Sequence, residues 1–177
     1  HDALPRSEER RVGKECIKIK DAQNEPPIHD FVINNYNGED ITQTVLAYPG
    51  YVFLVFIKDV KEANTSNIGR LRQLAIDAQK ANIPVLALSA SNDVETEAFN
   101  KQHQLSLSFY SLDGTVIKTA MRSNPGVMLL HNGGTVVYKW SYADYPTLSD
   151  LQLNLQNNAN PLFAPSTAPV TDSTAQQ

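Results

Sequence analysis

The sequence predicts an α/β fold of three layers, a central mixed sheet flanked by helices, with an added β element on its N-terminal side. Three observations carry this. Tyr51 to Ile57 (YVFLVFI) is an unbroken β-branched and aromatic run, the pattern of a central strand covered on both faces. Ile68, Leu71, Ala75 and Ala78 then recur at helical steps and lead to a second apolar run, Val85 to Leu88, which makes a parallel strand–helix–strand crossover. Finally, Val127 to Leu130 and Thr135 to Trp140 flank Asn132-Gly133-Gly134, a hairpin with a glycine turn.

The remaining elements fall around this frame. Phe31 to Ile33 and Ile41 to Leu46 flank Asn37-Gly38 and are expected to form the added hairpin or strand and turn. Thr65, Ser66 and Asn67 can each cap the first helix, while Asn82 and Pro84 end it. Asn92 with Glu95 resembles a capping box. It opens a helix over Asp93 to His103, whose apolar stripe is expected to start with Val94 and Ala98. Leu105 to Tyr110 is weakly strand-like, Asp113-Gly114 marks a turn, and Leu148, Leu151 and Leu155 suggest a short closing helix.

Length and composition limit the function. The chain has 177 residues, 41% hydrophobic and 19% charged, which is one domain with a sizeable core. A net charge of −4 argues against a nucleic-acid partner, which calls for a basic surface. The longest apolar run, Ala47 to Ile57, holds Pro49 and Gly50 and falls far short of the roughly 20 residues of a spanning helix. The single cysteine, Cys16, makes no intramolecular disulfide or two-cysteine redox centre. The four histidines (His1, His29, His103, His131) do not pair at metal-ligand spacing, and no cofactor motif is present.

Two terminal regions stand apart from the domain, which is expected over 25–156. Residues 1–24 read as a linker, within which Arg6 to Cys16 (RSEERRVGKEC) looks like the translation of a sequencing-adapter oligonucleotide and is set aside as a scar. Residues 157–177, rich in Asn, Pro, Ser, Thr, Ala and Gln, are expected to be a disordered tail.

The element order matches the thioredoxin-like fold. In that fold a proline, usually cis, opens the first hairpin strand and faces the active-site loop, and Asn124-Pro125 occupies that place. The redox cysteines of such enzymes sit at the helix start after the central strand, where helix N–H groups stabilise a thiolate. Here that segment reads Lys58-Asp59-Val60-Lys61-Glu62-Ala63-Asn64-Thr65 and has no cysteine. Neither thiol–disulfide oxidoreductase nor peroxidase activity is expected. Lys58, Asp59, Lys61 and Glu62 read first as a solvated mixed-charge surface and second as catalytic groups. His29-Asp30 reads first as a loop-shaping hydrogen bond and second as a dyad. His131 is taken as a solvated turn residue, and Trp140 as a core-edge aromatic or part of a docking surface.

Several strings together carry a family resemblance: Glu25 to Phe31 (EPPIHDF), Gly38 to Thr42 (GEDIT), Pro49-Gly50-Tyr51, Arg122 to Gly126 (RSNPG), and Lys139-Trp140 with Asp144 and Pro146. Over Glu25 to Pro146 the chain resembles the C-terminal soluble domain of bacterial DoxX-type membrane proteins. In these, transmembrane helices precede a thioredoxin-like domain without the cysteine pair. The resemblance implies a domain tethered to a bacterial inner membrane, facing the periplasm, with its own membrane-embedded portion as a partner. Arg6 to Cys16 departs from the family pattern. Three functional readings follow: a non-redox module that binds a protein or peptide, a structural extramembrane cap, and an enzyme with non-cysteine chemistry. For the first, Lys58, Asp59, Val60, Lys61, Asn124, Pro125 and Trp140 are the candidate interaction residues.

Overall fold

The computed structural model describes residues 31–158 and 162–163. The linker 1–24, the string 6–16 with Cys16, residues 25–30 and most of the tail lie outside these. Nine elements follow in order: α1 (Thr42–Leu46), β1 (Tyr51–Ile57), α2 (Ile68–Lys80), β2 (Val85–Ser89), α3 (Asp93–His103), β3 (Ser108–Ser111), α4 (Gly114–Ala120), β4 (Gly126–His131) and β5 (Thr135–Ser141). Single 3-10 turns follow at Leu148–Leu151 and Gln156–Asn158.

The five strands form one sheet in the order β3-β2-β1-β4-β5. β1 is parallel to β2 and antiparallel to β4, β2 is parallel to β3, and β4 is antiparallel to β5. Both parallel crossovers step the same way along the sheet. Their right-handedness therefore sends α2 and α3 to one face. Leu71, Leu74, Ala75 and Ala78 of α2 and Phe99 of α3 pack there against Phe53, Val55 and Ile57. The other face holds α1 and α4, with Val45, Val116 and Ile117 against Leu54, Phe56 and Leu88. The unbroken apolar character of β1 follows, because Val52 to Ile57 are all buried between two layers.

The helix ends are set locally. Asn92 Oδ1 accepts from Glu95 N at 2.9 Å, the capping contact the sequence suggests. The Glu95 carboxylate does not complete the box and instead pairs with Lys61. α2 closes through Asn82, whose φ of 57° is left-handed. In the hairpin turn Asn132, Gly133 and Gly134 all have positive φ, which explains the two glycines.

Five expectations are corrected. The N-terminal β extension is only a pair of bridges, Asn34 to Asp40 and Asn34 to Ser111. Ile41 to Leu46 turns helical because Asp40 Oδ1 takes Thr42 N at 2.8 Å. Asp113-Gly114 is a helix start, since Asp113 caps Thr115 N and Val116 N of α4. Val94 is 77% exposed, and α3 buries Thr96 and Phe99 instead. The closing helix is two 3-10 turns with Leu155 between them. Beyond residue 156, Asn158 is 2% exposed, and Phe163 stacks on Tyr110 at 6.2 Å.

Candidate functional site

The site lies at the end of β1, where a ten-residue loop spans 58–67 before α2 begins. Short polar side chains shape it by bonding nearby backbone, the habit of Asp, Asn and Ser in loops. Asp59 Oδ1 accepts from Lys61 N at 2.8 Å. Asn64 Oδ1 accepts from Ser66 N at 3.0 Å and from its hydroxyl at 2.6 Å. Val60 N donates to Ser91 Oγ at 3.2 Å, and Ala90 N to Lys58 O at 3.3 Å. The expected side-chain cap on α2 is missing, because Asn67 Nδ2 donates to Tyr142 O at 3.1 Å instead.

The Asn124-Pro125 peptide bond is cis, and its loop lies against 59–64. Asn64 N donates to Asn124 O at 2.8 Å, and Asn124 Nδ2 donates to Asp59 O at 3.0 Å. Asn124-Pro125 thus lies opposite the segment Lys58 to Thr65, as the sequence suggested, and its direct partners are loop residues ahead of α2. Ser123 Oγ bonds Pro125 O and accepts from Tyr142 N at 3.0 Å, which holds the strand entry. Asn124 Oδ1 is buried and has no hydrogen-bond partner among the described residues. The main-chain carbonyl before Pro125 is therefore already used by the chain's own loop.

Next to this closed edge is an open cleft of about 440 Å³ between the loop and α3. Val60, Ala63, Ala98 and Phe99 give it apolar walls, and Lys61, Glu95 and His103 stand at it. Lys61 Nζ meets Glu95 Oε1 at 2.6 Å. The hydrogen bond and charge of Glu95 hold the Lys61 ammonium above its ordinary pKa. Behind the loop, Tyr36 donates to Ser91 O at 3.3 Å and accepts from Thr96 Oγ1 at 3.2 Å. Burial, the largest influence, raises the Tyr36 pKa.

The structure thus brings Lys58, Asp59, Val60, Lys61, Asn124 and Pro125 together and leaves Trp140 out. Trp140 tilts against Phe53 at 6.5 Å and Tyr138 at 5.3 Å and lines a different cleft, between α2 and residues 144–150. His131 is half-buried and stacks on Tyr51 at 4.1 Å, so it packs and is no free turn residue. Sequence reasoning missed Tyr36, Ser91 and Thr96. Their signal is a long-range contact, and only the density of Asn, Ser and Thr around 64–67 and 89–92 hints at side-chain-to-backbone bonding.

Chemically the edge offers amides, the Lys61–Glu95 ion pair, the Lys58 ammonium, the Glu62 carboxylate and an Asp59 carboxylate committed to a turn, with no cysteine. The Asn124→Ala variant tests its architecture. Losing one bond to Asp59 O costs about 0.5–1.5 kcal/mol, and removing the unpartnered Oδ1 offsets part of that. We expect net destabilisation below about 1 kcal/mol, with faster amide exchange confined to 59–64, read by NMR. An unchanged loop would show that the carboxamide does not hold it.

No protein-family model matches the chain, and no curated protein is similar to it in sequence. Solved structures do match its shape. A thioredoxin-like protein from Aeropyrum pernix shares 15% identity, with a TM-score of 0.51, over 69% of this chain and 85% of its own. A candidate thioredoxin from Neisseria meningitidis also shares 15%, with a TM-score of 0.51, over 68% and 81%. A candidate protein disulfide isomerase from Bacteroides thetaiotaomicron shares 17%, with a TM-score of 0.50, over 69% and 80%. The chain has the thioredoxin-like fold, and identities this low speak to fold alone.

Proposed function

We propose that this is a non-redox thioredoxin-like domain that docks a protein or peptide and is tethered to a bacterial inner membrane on the periplasmic side. The observation that carries the non-redox part is the loop 58–67. It has no cysteine, and two hydrogen bonds fasten it to Asn124 where a redox site of this fold would be open. The docking surface then moves to the neighbouring cleft, where Val60 and Phe99 supply apolar wall and the Lys61–Glu95 pair a polar rim. The tether rests on the resemblance to DoxX-type proteins, with the membrane portion of the same polypeptide as one partner.

The self-bonded edge favours a second reading, a structural cap on that membrane portion. A photo-crosslinking residue at Gln102, which lines the cleft, separates the two in the membrane-bound protein. Adducts to another polypeptide support docking, and adducts only within the chain support the cap.

The redox test is direct. The domain should neither reduce insulin disulfides nor consume peroxide, with or without Cys16→Ser. Turnover that survives this substitution would overturn the non-redox reading. Transmembrane helices encoded directly upstream of Ile17 would support the tether, and their absence from the full reading frame would remove it.

A further inference from the structure

β5 is an edge strand, with no strand beyond it among the described residues. Neither helical layer covers it. Thr135 to Lys139 are all exposed, although successive side chains of a strand point to opposite faces. A solvated edge calls for polar residues, yet Val136 is 47% exposed, Val137 39% and Tyr138 51%. Neighbouring apolar and aromatic side chains left open in this way mark an interaction surface. They belong to neither cleft described above.

The charge beside this patch is a second, independent observation. Val136 lies opposite Leu130 and Lys139 opposite Met128, so both point to the face that carries α1 and α4. Lys139 Nζ donates to Ala120 O at 3.1 Å, which places its ammonium at the C-terminal end of α4. Lys118 stands in the last turn of that helix, and Arg122 follows Met121 just beyond it. All three cations are exposed. None belongs to an ion pair among the described residues, which are Lys61–Glu95 and Lys101–Glu97. The carboxylates of this face gather at the other edge: Asp113 follows β3, and Asp40 bridges Asn34, which bridges Ser111 of β3. β3 and β5 are opposite edges of the sheet, about 19 Å apart at ordinary strand spacing. That is well beyond the Debye length of about 8 Å at physiological salt. Asp144 follows β5 but lines the cleft on the α2 side.

We propose that the β5–α4 edge rests on an anionic phospholipid surface. Lys118, Arg122 and Lys139 meet the phosphate headgroups, while Val136, Val137 and Tyr138 enter the interfacial layer. Cations close to an anionic bilayer are attracted to it, and a tyrosine, apolar in body and polar at its tip, suits the headgroup level. The segregation of charge gives the domain one edge to turn to such a surface, although the chain as a whole carries −4. A partner strand added to β5 fits less well. The β4–β5 register shifts between Leu129 and Leu130, which leaves Val137 unpaired in a bulge, and bulges and edge lysines are devices that block strand addition. The inference stands on these residues and goes beyond the tether and the docking cleft.

The full chain is mixed with vesicles rich in phosphatidylglycerol or made of phosphatidylcholine alone, and bound protein is read by co-sedimentation. Binding to the anionic vesicles should be at least about tenfold stronger. Most of it should be lost when the ionic strength rises from about 0.05 M to about 0.5 M. Lys118→Gln with Arg122→Gln should lower partitioning about 20-fold, at about fivefold per cation. Lys139 is spared because it caps α4. Val136→Thr with Val137→Thr keeps the β-branched character of the strand and should lower partitioning several-fold. All four positions are exposed, so melting temperatures should hold. Arg70→Gln with Lys80→Gln removes the same charge from exposed positions of α2, across the sheet, and should leave binding within about twofold. An equal loss in this control, or equal binding to phosphatidylcholine, would overturn the site. A chain that ignores both vesicles would overturn it too. If that chain self-associates in sedimentation velocity through Val136 and Val137, the patch belongs to a second copy. If it instead binds a blocked hexaglutamate peptide through Lys118 and Arg122, the patch belongs to an acidic polypeptide.

Discussion

Replacing Phe53 with alanine should lower the unfolding free energy by about 3–5 kcal/mol. Phe53 is 0% exposed and sits mid-sheet, in register with Val85 of β2 and Leu129 of β4. Its ring also meets Trp140 at 6.5 Å. Truncation removes the transfer energy of the ring and leaves a cavity in the layer between the sheet and α2, where close-packed neighbours relax only in part. Phe53→Leu keeps most of the volume and should cost much less, about 1.5 kcal/mol or under. Urea unfolding followed by circular dichroism measures both, and Trp140 fluorescence should shift in the alanine variant. Val94→Ala is the control: its side chain is 77% exposed, so a change within about 0.5 kcal/mol is expected. A cost of several kcal/mol at Val94 would restore the inward apolar stripe that the sequence pattern suggests and contradict the orientation of α3.

The contrast between Phe53 and Val94 shows where sequence patterns are informative. A run such as Tyr51 to Ile57 has no polar face, so no rotation of it can be wrong, and its burial between two layers is legible directly. α2 is nearly as clear, because Leu71, Ala75 and Ala78 leave a polar face opposite. α3 is short of large apolar residues, and its burial is decided by one ring, Phe99, with Thr96 beside it. Val94 and Ala98 have the right spacing and lie on the outer side. α4 was hidden because Gly114 follows Asp113, a pair that suits a turn as well as a cap, and because GTVIKTA is rich in β-branched residues.

The candidate site divides along the same line. That Asn124-Pro125 meets the loop after β1 follows from strand order and is legible once the fold is recognised. That the loop bonds back onto Asn124 and closes the edge depends on Asn64 N reaching Asn124 O, sixty residues away, which no local pattern encodes. Trp140 was named with the loop as an aromatic that could belong to a docking surface. Its register opposite Val127 instead turns it toward the cleft between α2 and residues 144–150.

Asn158→Ala should destabilise the domain by about 2–4 kcal/mol, although sequence composition places this residue in a tail. Tyr51 opens β1, and β2 pairs only from Phe53 onward, which leaves the Tyr51 peptide groups on that side without a strand. Asn158 takes the place of one. Its Oδ1 accepts from Tyr51 N at 2.8 Å and its Nδ2 donates to Tyr51 O at 2.9 Å. Alanine would leave a backbone donor and acceptor unpaired near the core, each at roughly 1–3 kcal/mol if water does not reach them. Gly50 supplies an independent route to the same contact. A Cβ there would stand 2.6 Å from Asn158 Oδ1 and 2.7 Å from Tyr48 Cε1, so Gly50→Ala must push the carboxamide or the Tyr48 ring aside. Because both changes break one clasp, their costs should be less than additive in the double variant. A chain ended after residue 157 should lose about as much as Asn158→Ala. If instead truncation and Asn158→Ala each move the urea midpoint by less than about 0.5 kcal/mol, the domain ends at 156 and the side chain of Asn158 holds nothing.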